Sequence, residues 1–207
     1  MSRFILLLGL IVSFAVPASA GVLTVRVTGA DGRPVSGAVV TLHPVGQAAP
    51  AAARGNFRVE QRNMQFNPFI SVVPVNSDVS FPNFDPTKHH VYSFSPAKVF
   101  ELKLFAREQN RSIRFDRAGV VAVGCNIHDQ MSAYIFVTDT VWTTRTDNNG
   151  VATFRDAPER ATSVAVWHPY LRAPGGIMAR QVPLSSASRS EAFSIRLRPP
   201  LQHTNAY

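Results

Sequence analysis

Apolar and polar side chains alternate with a period of two along most of this chain. Residues 23–28 and 193–198 show the alternation most clearly, and this period is typical of half-buried β-strands. Turn sequences such as "ADGRP" (30–34) and "TDNNG" (146–150) separate the alternating segments. No segment has a convincing helical period. The pattern therefore predicts an all-β protein.

The first twenty residues depart from this pattern. A single Arg3 precedes an apolar run from Phe4 to Val16, and "ASA" closes the segment at residues 18–20. This arrangement is typical of a secretory signal peptide. No later stretch approaches the roughly 20 continuous apolar residues that a membrane-spanning helix needs. We expect a periplasmic or secreted protein with no membrane insertion after cleavage, and an uncleaved N-terminal anchor is the alternative.

Charge and cysteine content narrow the possible functions. The formal net charge is +8, and removal of Arg3 with the signal leaves 20 − 13 = +7. The basic balance favours an acidic partner, but no Lys/Arg block indicates a nucleic-acid partner. Exported proteins usually carry cysteines in disulfide pairs, whereas this chain has only Cys125. The lone thiol is therefore either a small buried apolar residue or part of a functional site.

The segment around the cysteine favours a functional site. In "VAVGCNIHDQMSAYIFV" (121–137), Cys125, His128 and Met131 lie on a loop between two alternating strands. A thiolate, an imidazole and a thioether form a soft donor set; zinc hardly ever takes methionine, whereas a His₂Cys site with a weak axial methionine is the blue-copper arrangement. "KHHVYSFS" supplies a further histidine at the start of a strand, either His89 or His90. The alternation alone favours His90 as the inward-facing residue.

These residues resemble the cupredoxins, or type I blue-copper proteins. The spacing of Cys125, His128 and Met131 is that of amicyanin, and "HHVYSFS" resembles the strand opening that carries the first ligand in amicyanins and plastocyanins. "FPNFDPTKHHVYSFS", "FELKLF" and "CNIHDQM" also look like bacterial proteins often labelled methylamine utilization protein. The resemblance implies one type I copper bound by His89, Cys125, His128 and Met131. His90 stands where the family usually has an asparagine that steadies the cysteine loop.

Two segments distant in sequence resemble halves of a second domain. Residues 21–44 and 144–171 together resemble a carboxypeptidase regulatory-like or transthyretin-like β-sandwich, with about ninety residues between the halves. We therefore expect a cupredoxin-like Greek-key sandwich or barrel inserted into a smaller sandwich. The predicted divisions are the signal peptide (1–20), the first half-sandwich with its linker (21–54), the copper domain (55–140), the second half-sandwich (141–199) and a tail (200–207).

The resemblance implies a carrier of single electrons between redox proteins, with the electron passing through His128. Because four protein ligands leave no open coordination position, we expect no enzymatic activity. Phe66, Phe69 and Phe84 are candidates for an apolar docking patch around the site, or else core residues.

Three other functions compete with electron transfer. The strongest is a copper-binding or copper-handling module that docks on a partner without passing electrons. A thiol hydrolase with Cys125 as nucleophile and His128 as base leaves Met131 without a role. A decayed site on a retained scaffold is the third.

Overall fold

A computed structural model describes residues 21–185 and 187–199. The predicted signal peptide and C-terminal tail lie outside these residues. The strands are β1 (Leu23–Gly29), β2 (Val39–Pro44), β3 (Asn56–Arg58), β4 (Glu60–Arg62), β5 (Gln65–Asn67), β6 (Ile70–Pro74), β7 (Ser77–Ser80), β8 (His89–Ser95), β9 (Lys98–Phe105), β10 (Ser112–Phe115), β11 (Gly119–Cys125), β12 (Ser132–Thr138), β13 (Thr143–Arg145), β14 (Val151–Phe154), β15 (Thr162–Trp167), β16 (Ile177–Val182) and β17 (Arg189–Ile195).

These strands confirm the predicted all-β class. The one helical element among the described residues is a 3-10 turn at Pro174–Gly176. No helix in this part of the chain is long and apolar enough to span a bilayer. Alternating sequence thus forms strands nearly throughout, as its period predicts.

The two ends of the described chain build one pair of sheets, here called the outer region (21–44 and 143–199). A three-stranded sheet has the order β14-β1-β17, and a four-stranded sheet has the order β13-β2-β15-β16. Strand β1 runs antiparallel to β14 and parallel to β17. Among the described residues, the fully buried members of the core of the outer region come from these two segments and include Val25, Leu42, Val166 and Ile195.

The residues between them, 56–138, form the central block. Its main sheet has the order β6-β12-β11-β8-β9, and a smaller sheet has the order β10-β7-β3. A separate apolar core, drawn only from residues 59–137, includes Phe81, Phe115 and Ile135. The central block and the outer region therefore have separate apolar cores. The domain boundaries drawn from the sequence stay predictions.

An aromatic seam joins the central block to the outer region. Trp167 at the end of β15 packs against Tyr134 and Phe136 of β12, with ring centroids 5.8 and 5.6 Å apart. Val39 and Ile70 are buried in the same cluster. The face of the main sheet that turns away from the core of the central block is therefore covered by the outer region along β6, β12 and β11.

The outward face of β8 is exposed at Phe94, contrary to one argument from the sequence. Alternation favoured the face of His90 and Phe94 as the core face of β8, but Phe94 is 79% exposed and His89 is fully buried. Tyr92 and Phe94 pack on each other on the outer face of the strand, with ring centroids 5.1 Å apart. Aromatic content along a strand therefore did not identify its buried face.

Candidate metal centre

Three neighbouring strands bring the candidate ligands to one end of the main sheet. Strand β8 begins at His89, and β11, which pairs with it, ends at Cys125 with Cys125 opposite Val91. Strand β12 begins at Ser132 and pairs with the other edge of β11. The loop 126–131 that carries His128 therefore crosses the same end of the sheet.

The loop is fixed by backbone hydrogen bonds. The Cys125 amide donates to the Met131 carbonyl at 3.2 Å, and the Met131 amide donates to the His128 carbonyl at 2.9 Å. The Asn126 amide donates to the His90 carbonyl at 3.0 Å and ties the loop to β8. Met131 is buried in the same core as Cys125, whereas His128 remains half-buried. The short loop thus holds its ends together with its thioether side chain inward.

Donor atoms of His89, Cys125 and His128 converge within 4.8 Å of one another. The Cys125 Sγ lies 3.7 Å from the His89 Nδ1 and 3.8 Å from the His128 Nδ1. Bonds of the length found at zinc sites, about 2.3 Å to sulfur and about 2.0 Å to nitrogen, place two donors about 3.7 Å apart at trigonal angles. The spacing of these donors therefore suits one metal ion bound by all three.

The thiol of Cys125 is prepared for ionisation. Burial opposes ionisation, but hydrogen bonds from His89, from two backbone amides and from His128 outweigh it and lower the pKa of Cys125 to about 6. Since the thiolate is the form that binds metals, the ligand is largely present at neutral pH. Cys125 is the only cysteine of the chain, so no disulfide competes for it.

A buried carboxylate completes the surroundings of His89. The Asp85 Oδ2 lies 2.9 Å from the His89 Nε2. Burial opposes ionisation of Asp85, but hydrogen bonds from two backbone amides and from the His89 ring hold its pKa below the usual value. Burial also lowers the pKa of His89, yet the hydrogen bonds and charges of Cys125 and Asp85 raise it more, so the net shift is upward.

Sequence reasoning missed Asp85, because "NFDP" reads as a turn. The available signal was an acidic residue four positions before a candidate histidine ligand. Metal-binding histidines commonly donate their second ring N–H to a carboxylate, which orients the ring. Asp85 therefore belongs among the candidate functional residues.

The two adjacent histidines have different surroundings. His89 is fully buried and turns its Nδ1 toward Cys125, whereas the His90 Nε2 lies 2.9 Å from the exposed Glu101 carboxylate. His90 stands where the cupredoxin pattern has an asparagine, and its backbone carbonyl accepts a hydrogen bond from the Asn126 amide.

The three candidate patch phenylalanines have separate roles. Phe66 is buried in the core of the central block. Phe69 stacks on Tyr170 of the outer region, with ring centroids 6.1 Å apart, and Phe84 lies beneath the Arg62 guanidinium. Ile127 on the ligand loop is 47% exposed and adds apolar surface there that the sequence analysis did not name.

Comparison with known proteins gives structural similarity without a sequence match. No protein-family model matches the chain, and no curated protein matches it. A purple cupredoxin from Nitrosopumilus maritimus is 18% identical, with 40% of this chain and 99% of that chain covered and a TM-score of 0.37. A reduced mutant form of amicyanin is 20% identical, with 47% and 99% covered and a TM-score of 0.38.

The chain resembles the cupredoxins, as its motifs predict. The likeness to a carboxypeptidase regulatory-like sandwich stays a prediction for the outer region. A thiolate and two imidazoles that converge on one point are donors that copper accepts. The residues of the cupredoxin-like site thus fit the predicted cofactor, a single copper ion.

One expectation about function is wrong. The structures similar to this chain include a Cu-containing nitrite reductase from Thermus scotoductus SA-01, which is 20% identical, with 56% of this chain and 28% of that chain covered and a TM-score of 0.39. The expectation of no enzymatic activity rested on four ligands filling one copper site. A closed ligand set describes one metal and not the whole protein, so that inference does not follow.

Proposed function

We propose that this protein is an exported copper protein that passes single electrons through a type I site. The proposed ligands are His89, Cys125, His128 and Met131. The observation that carries the proposal is the convergence of two imidazole Nδ1 atoms on one thiol, 3.7 and 3.8 Å from its sulfur. Copper, when bound, supplies a one-electron couple at this point.

The surrounding residues suit such a role. The main sheet and the loop hydrogen bonds hold the ligand side chains in place, which limits rearrangement when the metal changes charge. Met131, the proposed thioether ligand, is only 1% exposed and is therefore shielded from solvent. The half-buried His128 gives the route between the site and the surface.

The proposed partner is a redox protein that docks briefly at the ligand loop. Exposed Ile127 supplies apolar contact beside His128. The net positive charge favours an acidic partner, because opposite charges accelerate transient association. Export to the periplasm or the medium rests on residues 1–20.

The decisive experiment is a Cu(II) titration followed by visible absorption and electron paramagnetic resonance. We expect an intense blue band and narrow copper hyperfine splitting, with the colour bleached by a mild reductant. Cys125→Ser should abolish the band, and His43→Gln in the outer region should leave it unchanged. An ordinary tetragonal Cu(II) spectrum that persists in Cys125→Ser would contradict electron transfer at this site and favour copper handling.

The adjacent histidines provide a matched test of the ligand assignment. His89→Gln should abolish the blue band, whereas His90→Gln should retain it, because of these two rings the His89 ring faces the thiol and the His90 ring faces Glu101. The reverse pattern would assign the first ligand to His90.

A further inference from the structure

Each of the two adjacent histidines bonds a carboxylate, but the two pairs lie in different environments. The His89 Nε2 is 2.9 Å from the Asp85 Oδ2, and the side chains are 0% and 6% exposed. The His90 Nε2 is also 2.9 Å from the Glu101 Oε1, but these side chains are 16% and 56% exposed. The two nitrogen–oxygen distances are therefore equal, but the pair of His89 and Asp85 is much more deeply buried than the pair of His90 and Glu101.

Asp85 is held from several directions. Its Oδ1 accepts from the Asn63 amide, and its Oδ2 accepts from the Met64 amide at 3.0 Å. Its own amide donates to the Asn83 Oδ1 at 2.8 Å, and the Asn83 Nδ2 donates in turn to the Thr87 carbonyl at 2.8 Å. The carboxylate therefore has a fixed position before any metal binds.

The fixed Asp85 carboxylate determines which nitrogen of the His89 ring carries a hydrogen. A carboxylate only accepts hydrogen bonds, so the His89 Nε2 carries a hydrogen and donates it to Asp85. The Nδ1 is then the ring atom available to a metal, and it is the atom that faces Cys125. Metal binding at Nδ1 leaves the bond to Asp85 intact.

We propose that Asp85 is a positioning residue of the copper site, which orients His89 and lowers the reduction potential of the bound copper. This inference rests on the proposed function. A negative charge beside a ligand stabilises Cu(II) over Cu(I), because the oxidised ion carries the larger positive charge. Burial keeps solvent and salt from screening the Asp85 charge, whereas the exposed Glu101 is screened.

The test compares Asp85→Asn with Glu101→Gln. Each substitution removes one carboxylate bonded to one of the two histidines, so Glu101→Gln is the matched control. We expect Asp85→Asn to lower the preference of the site for Cu(II) over Cu(I) about tenfold. For a one-electron couple, this change raises the reduction potential by about 59 mV. Glu101→Gln should cause a several-fold smaller shift.

Asp85→Asn also changes hydrogen bonding. An NH₂ group takes the place of one carboxylate oxygen, so one acceptor is lost where three donors converge. Asp85→Glu separates charge from bonding, since it keeps the charge on a longer side chain. It should keep the potential closer to wild type than Asp85→Asn does. Equal potentials in the two variants would overturn the role of the charge.

A measurement on the wild type does not depend on whether a variant folds. In the diamagnetic Cu(I) protein, nitrogen-edited nuclear magnetic resonance should show a slowly exchanging hydrogen on the His89 Nε2. A Cu(I) protein in which His89 carries no hydrogen on Nε2 would overturn the proposal.

The two possible failures are distinguishable. A wild-type protein without a blue band overturns the proposed function and this inference with it. A blue wild-type protein in which Asp85→Asn shifts the potential no more than Glu101→Gln overturns the role of Asp85 alone.

Discussion

The central block and the outer region both place strands around an apolar core, but they differ in the polar groups that they bury. The outer region buries threonines and His168, but its described residues hold no group of side chains that could bind a metal. The central block adds Asp85, His89 and Cys125 at one end of its main sheet. Similar strand architecture therefore serves packing in one region and a chemical site in the other, and strand ends and loops make the difference.

The largest effect is expected when one core side chain is shortened to alanine in each region. Phe115→Ala should lower the free energy of unfolding of the central block by about 3–5 kcal/mol, and Leu42→Ala that of the outer region by about 2–5 kcal/mol, because both side chains are fully buried. Denaturant unfolding followed by blue absorbance and by circular dichroism measures both effects. Equal loss of blue absorbance in the two variants would show that the cores unfold as one unit.

Copper should stabilise the two regions unequally. At a free copper concentration about a thousand times the Kd, binding adds about 4 kcal/mol to the region that holds the site. Amide hydrogen exchange should therefore slow in β8, β11 and β12 and change little in β1 and β17. Cys125→Ser is the control, and equal slowing in both regions would contradict a purely local effect.

A smaller effect is expected at the contact between the regions. The Arg145 Nη1 of β13 donates to the Ile70 carbonyl of β6 at 2.7 Å. Arg145→Ala should cost about 1 kcal/mol and bring the unfolding transitions of the regions further apart. Arg26→Ala is the matched control, because the Arg26 Nη1 donates to the Asn149 carbonyl within the outer region. An equal separation in both variants would contradict a coupling role for Arg145.

The smallest effect concerns pH in the outer region. Burial lowers the pKa of His168 below its usual value near 6.5. The unfolded chain therefore gains a proton first as the pH falls through 6.5, and stability is lost below that pH. The wild type should lose more stability than His168→Gln between pH 7.5 and pH 5. Parallel pH profiles would show that His168 does not contribute.

The sequence alone determined the class of the fold and indicated the cofactor. Alternation of period two fixed the strands because it is a local property of the chain. The motif of Cys125, His128 and Met131 indicated copper because the chemistry of its donor atoms does not depend on the fold. The role of Asp85 was not predictable, since it depends on hydrogen bonds to Asn63 and Met64, about twenty residues away.

Tertiary structure decided which of His89 and His90 faces the thiol. Alternation places adjacent side chains on opposite faces of a strand, but it does not say which face another sheet will cover. The face with His89 packs into the core of the central block, while Phe94 on the other face lies beyond the cover of the outer region. Burial depends on the arrangement of distant strands, and only the folded chain supplies that arrangement.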